Sequence, residues 1–366
     1  MQENKNNFYS SPGDNSPFKG LRSLLRENIK SLIPYSSARD EFKGEASVFL
    51  DANENSFGSP LETNYNRYPD PLQAKLKQRL STIKGVPSAN IFLGNGSDEA
   101  IDILFRAFCR PGIDNVIILP PTYGMYEVSA NINDIEIRKV KLKPDYQLDL
   151  EDISESIDEN TKLIFICSPN NPTGNSINRD DIETILANFG GLVVIDEAYI
   201  NYSRQKTFIQ ELTEYANLVV LQTLSKAWGL AGLRLGMAFA SEDIIEVFNK
   251  IKPPYNINEA SQKLALEALQ NVDQVNSWIK ETVLERKKLV SELLKLPFIE
   301  NIFPSDANFI LVKTNNPAHI YNFLISNSII VRDRSKIELC ENCLRITVGT
   351  IYENELLLET LKKYNL

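Results

Sequence analysis

The middle of the chain repeats one pattern of polarity. A short, unbroken apolar run ends abruptly in polar and aromatic residues, and a stretch with helical spacing follows. Val116-Ile117-Ile118-Leu119 ends at Pro120-Pro121-Thr122-Tyr123, and Leu163-Ile164-Phe165-Ile166-Cys167 ends at Ser168-Pro169-Asn170-Asn171-Pro172-Thr173-Gly174. Leu192-Val193-Val194-Ile195 ends at Asp196-Glu197-Ala198-Tyr199, and Leu218-Val219-Val220-Leu221 ends at Gln222-Thr223-Leu224-Ser225-Lys226. Apolar runs without alternation are what strands covered on both faces require, and their alternation with helices predicts a mostly parallel sheet clad in helices. In such a sheet ligands bind beyond the carboxyl ends of the strands, where the four polar clusters are brought together. Turn chemistry accounts for Pro120, Pro169 and Gly174. It does not account for Asp196, Tyr199 and Lys226 ending apolar strands.

A fifth run, Ile91-Phe92-Leu93, leads through Gly94-Asn95-Gly96-Ser97-Asp98-Glu99 into a helix with Ile101, Leu104, Phe105 and Phe108 on one face. Glycine-rich backbone feeding a helix N-terminus offers free N–H groups and the positive end of the dipole to an anion such as phosphate. The plainer reading is that Ser97 caps the helix. Neither GxGxxG nor GxxxxGK[ST] occurs in the chain. From about Asn258 long amphipathic helices take over, over Glu259–Gln270 and Gln274–Leu296. Strand-like runs follow at 308–312, 329–331 and 344–348, an α+β arrangement. The expected organisation is a polar, mobile tail over 1–18, an arm of a smaller domain over 19–48, a large domain over 49–255, and the rest of the smaller domain over 256–366.

Composition narrows the chemistry. The chain has 366 residues, a formal charge of −9 and 43% hydrophobic residues, enough to bury a substantial core. An acidic balance without a Lys/Arg block argues against nucleic acid as a partner. No apolar run approaches the roughly 20 residues needed to cross a bilayer, so a cytoplasmic protein is expected. Four cysteines are too sparse for a disulfide scaffold. His319 is the only histidine, which disfavours a Ser/His/Asp triad and a multi-histidine metal site, and it is expected to start a surface helix. The lone Cys340-x-x-Cys343 cannot complete a four-ligand zinc site, and no metal is expected.

An anion site beside a strand-end lysine, a strand-end aspartate and stacking aromatics suits pyridoxal phosphate. A lysine amine forms a Schiff base with the cofactor aldehyde, and a carboxylate keeps the pyridine nitrogen protonated so that the ring acts as an electron sink. Lys226 and Asp196 are the candidates, and a freed Lys226 can serve as general base without any histidine.

Ser225-Lys226-Ala227-Trp228-Gly229-Leu230-Ala231-Gly232-Leu233-Arg234-Leu235-Gly236 resembles the cofactor-lysine segment of fold-type I aminotransferases, and Asn171–Gly174 and Asp196–Tyr199 stand in the matching order and spacing. More narrowly, Ala52-Asn53-Glu54-Asn55, Asn66-Arg67-Tyr68-Pro69-Asp70, Pro121–Tyr126 and Leu344-Arg345-Ile346-Thr347-Val348-Gly349-Thr350 resemble the histidinol-phosphate aminotransferases, a likeness running from about Leu32 to Ile351. The resemblance implies that Tyr123 stacks on the pyridine ring and that Asn171 and Tyr199 bond the cofactor 3′-oxygen. It implies that Ser97, Asp98, Glu99, Thr223, Ser225 and Arg234 hold the cofactor phosphate, joined by Tyr68 from a second subunit of a homodimer. It places Arg345 on a substrate carboxylate, and Tyr35, Asn53, Tyr255, Asn256 and Arg332 near the substrate. The implied reaction is reversible amino transfer between L-histidinol phosphate and 2-oxoglutarate in histidine biosynthesis. The rival readings are an aromatic aminotransferase or phospho-amino-acid decarboxylase of the same fold, and a non-catalytic cofactor-binding regulator.

Overall fold

Seven strands form the main sheet: β1 (Ile91–Asn95), β2 (Asn115–Ile118), β3 (Glu136–Lys139), β4 (Thr161–Cys167), β5 (Leu192–Asp196), β6 (Leu218–Thr223) and β7 (Leu235–Ala240). Their order is β1-β7-β6-β5-β4-β2-β3, with β7 antiparallel to both neighbours and every other pair parallel. All strands but β7 therefore point their carboxyl ends the same way. The structure, a computed structural model, describes residues 17–18, 20–37 and 46–364. The tail expected over 1–18 lies, apart from Pro17 and Phe18, outside the described residues.

Side chains alternate between two buried layers, as a pleated strand demands. Ile164, Ile166, Val193, Ile195 and Val220 enter one apolar cluster. Leu163, Phe165, Leu192, Val194, Val219 and Leu221 enter the other. This is why the runs show no polar alternation. It also fixes Asp196: two residues past Val194, it shares that residue's face, where fully buried Tyr126 waits.

A second, antiparallel sheet comprises β8 (Ile299–Ile302), β9 (Phe309–Thr314), β10 (Arg332–Asp333) and β11 (Cys343–Thr347), in the order β10-β11-β9-β8. The strand expected over 329–331 forms just beyond that range, at Arg332–Asp333, with Arg332 paired to Arg345. Val331 is instead buried in the small sheet's own core.

Two of the expected domain assignments fall differently. Leu21, Leu24, Leu25 and Ile29, expected in the arm of the smaller domain, pack with Phe18 on the large sheet. Arg26 N donates to Ala107 O at 3.1 Å and Lys250 Nζ to Ile29 O at 2.8 Å, tying this segment to helices Ser97–Phe108 and Glu242–Ile251. Ile257, Ala265, Leu269 and Val275, placed beyond the 255/256 boundary, still belong to the large core, because the apolar face of helix Glu259–Ala268 lies on helix Ala74–Lys84. The crossing occurs within helix Val272–Leu293, whose Leu289 and Leu293 enter the small sheet's core. His319 does lie in the first turn of a helix, Pro317–Ser326, where its Nδ1 meets Tyr364 Oη at 2.7 Å.

Candidate active site

The carboxyl ends of β1, β2, β4, β5 and β6 open onto one cavity of about 640 Å³. It gathers Ser97, Asp98, Tyr123, Asn171, Asp196, Tyr199, Thr223, Ser225, Lys226, Arg234, Arg332 and Arg345. Residues from two sheets and from positions 97 to 345 thus share one wall.

Asp196 forms the floor. It is 3% exposed and accepts from Tyr126 Oη at 2.7 Å and from its neighbour Ala198 N at 3.1 Å. Burial pushes its carboxyl above the ordinary aspartate value, against the pull of those donors. No Lys or Arg among the described residues is ion-paired with it. A buried carboxylate of this kind is stabilised by a cation entering the cavity. Lys226 is held below the ordinary lysine range, by burial first and then by the charge of Arg345. Its Nζ lies 5.6 Å from the centre of the Tyr199 ring.

An anion cradle lies at the end of β1. Gly96 N donates to Arg234 O at 2.8 Å, bringing the arginine back to the start of helix Ser97–Phe108. The helix has no side-chain cap, so Ser97 does not perform the capping role, and the first-turn N–H groups remain available. Glycine is required twice here. Gly96 has φ +74°, and a Cβ on Gly236 would stand 2.1 Å from Ser97 N. Arg234 Nη2 lies 3.4 Å from Asp98 Oδ2, and Tyr123 Oη donates to Asp98 Oδ1 at 3.1 Å.

Asn171 Oδ1 accepts from Arg345 Nη1 at 2.5 Å, linking the β4 end to the small sheet. Its neighbour Asn170 fixes the loop, donating to Pro121 O at 2.8 Å and Thr173 Oγ1 at 2.7 Å.

The remaining sequence candidates lie elsewhere in the single chain. Asn53, Tyr68 and Tyr255 line a second cavity of about 560 Å³, where Tyr68 and Tyr255 stack at 4.5 Å between ring centres. Glu54 positions Tyr68 by accepting its N–H at 2.7 Å, and Arg67 Nη1 at the same distance. Asn256 engages Leu93 O at 2.9 Å and the Glu99 carboxylate, which itself accepts from Asn95 N at 2.5 Å. Glu99 and Asn256 therefore brace the loop from behind. Tyr35 is exposed, on a third concavity beside Leu21 and Lys250.

Sequence reasoning missed Tyr126, Asn170 and Arg334. Tyr126 sits one helical turn after Tyr123, a spacing that signals a shared face. Arg334 lines the large cavity two residues after Arg332.

A family model described as aminotransferase class I and II matches residues 49–361. A histidinol-phosphate aminotransferase of Cytophaga hutchinsonii is 56% identical over 94% of this chain and 99% of its own length. Among solved structures, the histidinol-phosphate aminotransferase from Clostridium acetobutylicum is similar with a TM-score of 0.75 and 25% identity, covering 81% of this chain and 90% of that one. That of Sinorhizobium meliloti, solved in complex with pyridoxal-5′-phosphate, shares the fold at a TM-score of 0.75 and 24% identity, covering 85% and 90%.

Proposed function

The chain belongs to the aminotransferase class I and II family and, within it, to the histidinol-phosphate aminotransferases, and from that membership we propose reversible amino transfer between L-histidinol phosphate and 2-oxoglutarate with pyridoxal 5′-phosphate as cofactor. One observation carries the reading: a buried carboxylate lacking a cation of its own, Asp196, shares a cavity with a lysine whose amine is biased toward its neutral, nucleophilic form. The cofactor fits the residues present. Its phosphate suits the uncapped helix N-terminus, Thr223, Ser225 and Arg234, which the close approach of Gly96 to Arg234 and of Gly236 to Ser97 draws together. Asp196 would hold a protonated ring nitrogen, the cation it lacks in the protein itself.

When bound, the cofactor supplies an aldehyde to carry the amino group and a ring to accept electrons from the substrate carbon. Lys226 Nζ would hold that aldehyde and give it up to a substrate amine. The freed Nζ then takes the proton from the amine-bearing carbon of the substrate, acting as general base. The Asp196 carboxylate holds positive charge at the floor, with Tyr126 Oη fixing its orientation. The Tyr123 ring would cover one face of the cofactor, and Asn171 with the Tyr199 hydroxyl would meet its ring oxygen. Arg345 receives a substrate carboxylate in bidentate fashion.

The active form is a homodimer in which Tyr68 reaches the partner's cofactor phosphate. Supporting this, the segment that carries Tyr68 leaves large apolar residues bare: Leu50 is 82% exposed and Phe57 102%. No helix among the described residues is long and apolar enough to cross a membrane.

Borohydride reduction of the holoenzyme followed by peptide mapping should label Lys226; label on another residue overturns the chemistry. Turnover of histidinol phosphate, phenylalanine and threonine phosphate, each with 2-oxoglutarate, tests the substrate. A preference for phenylalanine overturns that part alone.

A further inference from the structure

Arg345 is assigned to a substrate carboxylate, and the resemblance puts Arg332 near the substrate. The small sheet brings a third. β10 and β11 pair antiparallel with Arg332 opposite Arg345, and the ladder runs one step further, with Arg334 N donating to Cys343 O at 2.9 Å. Residues two apart along a strand share a face, and so do residues directly opposed. Arg332, Arg334 and Arg345 accordingly project from one side of the sheet, and all three line the cavity of Lys226. Asp333 turns to the other side, where its Oδ1 accepts from Ser335 N at 2.8 Å and Ser335 Oγ at 2.5 Å.

Among the described residues no carboxylate is ion-paired with any of the three guanidiniums. Arg345 gives one nitrogen to Asn171, while Nε of Arg334 and Nε of Arg345 are buried without a partner. An unmet buried donor is costly, more so when it is charged. Burial lowers the pKa of Arg334, with Arg332 the next cause, and burial lowers that of Arg345, with Arg334 the next cause. The cluster repels itself and has donors to spare, the complement of a multiply charged anion.

The two substrates differ in that respect. A carboxylate has one charge and two oxygens, which one guanidinium matches. A phosphate monoester approaches two charges and presents three terminal oxygens. We propose that Arg334 is a specificity-determining residue that, together with Arg332, clamps the phosphate of the phosphorylated amine, while Arg345 serves the carboxylate of the keto acid. This deepens, and rests on, the substrate assignment above.

The test compares holoenzymes carrying Arg334→Gln and Arg334→Lys with the wild type. Kinetics are measured for both substrates, and inorganic phosphate is titrated calorimetrically with the cofactor's own phosphate subsite filled. Loss of one charged hydrogen-bonding partner predicts that Arg334→Gln lowers kcat/KM for histidinol phosphate about 10- to 100-fold, chiefly through KM. The loss for 2-oxoglutarate should be several-fold smaller, inorganic phosphate should bind more weakly, and Arg334→Lys should recover part of each effect. Equal losses for the two substrates, or phosphate binding as tight as in the wild type, overturn the assignment. A wild-type enzyme inert toward histidinol phosphate overturns the substrate reading instead, and the phosphate titration, which needs no turnover, still decides whether Arg334 holds phosphate.

Discussion

Lys226 owes its lowered pKa to burial first and to Arg345 second, so one charge can be removed to test the account. Uptake of pyridoxal phosphate by the cofactor-free protein requires the neutral amine. Its rate should rise with pH through a midpoint below that of a free lysine. Replacing Arg345 by Gln removes a repelling cation and should move the midpoint upward, as stopped-flow absorbance would show. An unmoved midpoint would remove Arg345 from the account and leave burial with Arg234. Asp196→Asn keeps the shape but not the charge, and a fall in kcat of about 10²–10³-fold is expected, the scale of losing one preorganised electrostatic group. Tyr126→Phe removes a single 2.7 Å hydrogen bond to that carboxylate, and a loss of about tenfold is expected. Asp196 and Lys226 were legible because a charged residue closing an apolar run has no packing reason to be there. Tyr126 was not, because a buried aromatic on a helix face reads as core. Arg334 lies among Ser335, Lys336 and Glu338, where another charge passes as surface.

The strands and the helix after β1 could be read from apolar runs and spacing, since both reflect burial directly. The reversed direction of β7 could not. Its residues, Leu235–Ala240, follow Arg234 so closely that no separate run stands out, and strand direction leaves no mark on composition. Yet β7 delivers Gly236 to the cradle. Gly236→Ala would drive a Cβ into the backbone of Gly96 and Ser97, and we expect a destabilisation of about 2 kcal/mol or more, together with weaker cofactor retention. Urea unfolding and cofactor dialysis would measure the two effects. A second buried device joins elements behind the site. Lys84 Nζ donates to Gln222 Oε1 at 2.6 Å, and Gln222 Nε2 donates to Glu197 Oε2 at 2.9 Å. Burial lowers the Lys84 ammonium to about 8, opposed by Glu197. Between about pH 8 and the ordinary value of 10.5 the unfolded chain then binds more protons at this position than the folded one. Its contribution to stability should therefore rise with pH across that window. Denaturant midpoints at pH 8 and pH 10 for wild type and Lys84→Met should differ by that increment.

For the molecule as a whole, the two-sheet plan was legible and the seam between its parts was not. Helix Val272–Leu293 is amphipathic along its whole length, so nothing in its spacing marks where one core stops and the other starts. The exposed stretch around Leu50 and Phe57 reads in the sequence as scattered apolar residues, and only their bareness in the fold singles them out. Phe57→Glu should weaken self-association, measurable as a lower mass in sedimentation, without altering the core of the subunit.

Tyr68 sits with Tyr255 on a cavity of its own, away from Lys226 of the same chain. If it serves the neighbouring protomer, defects in the two residues are separable. Mixing a Lys226→Ala preparation with a Tyr68→Phe preparation would generate hybrids in which one centre bears both lesions and the other bears neither. Two crippled stocks would then regain catalysis on reassortment, by up to one sound centre per hybrid, whereas lesions confined to a common centre could not complement.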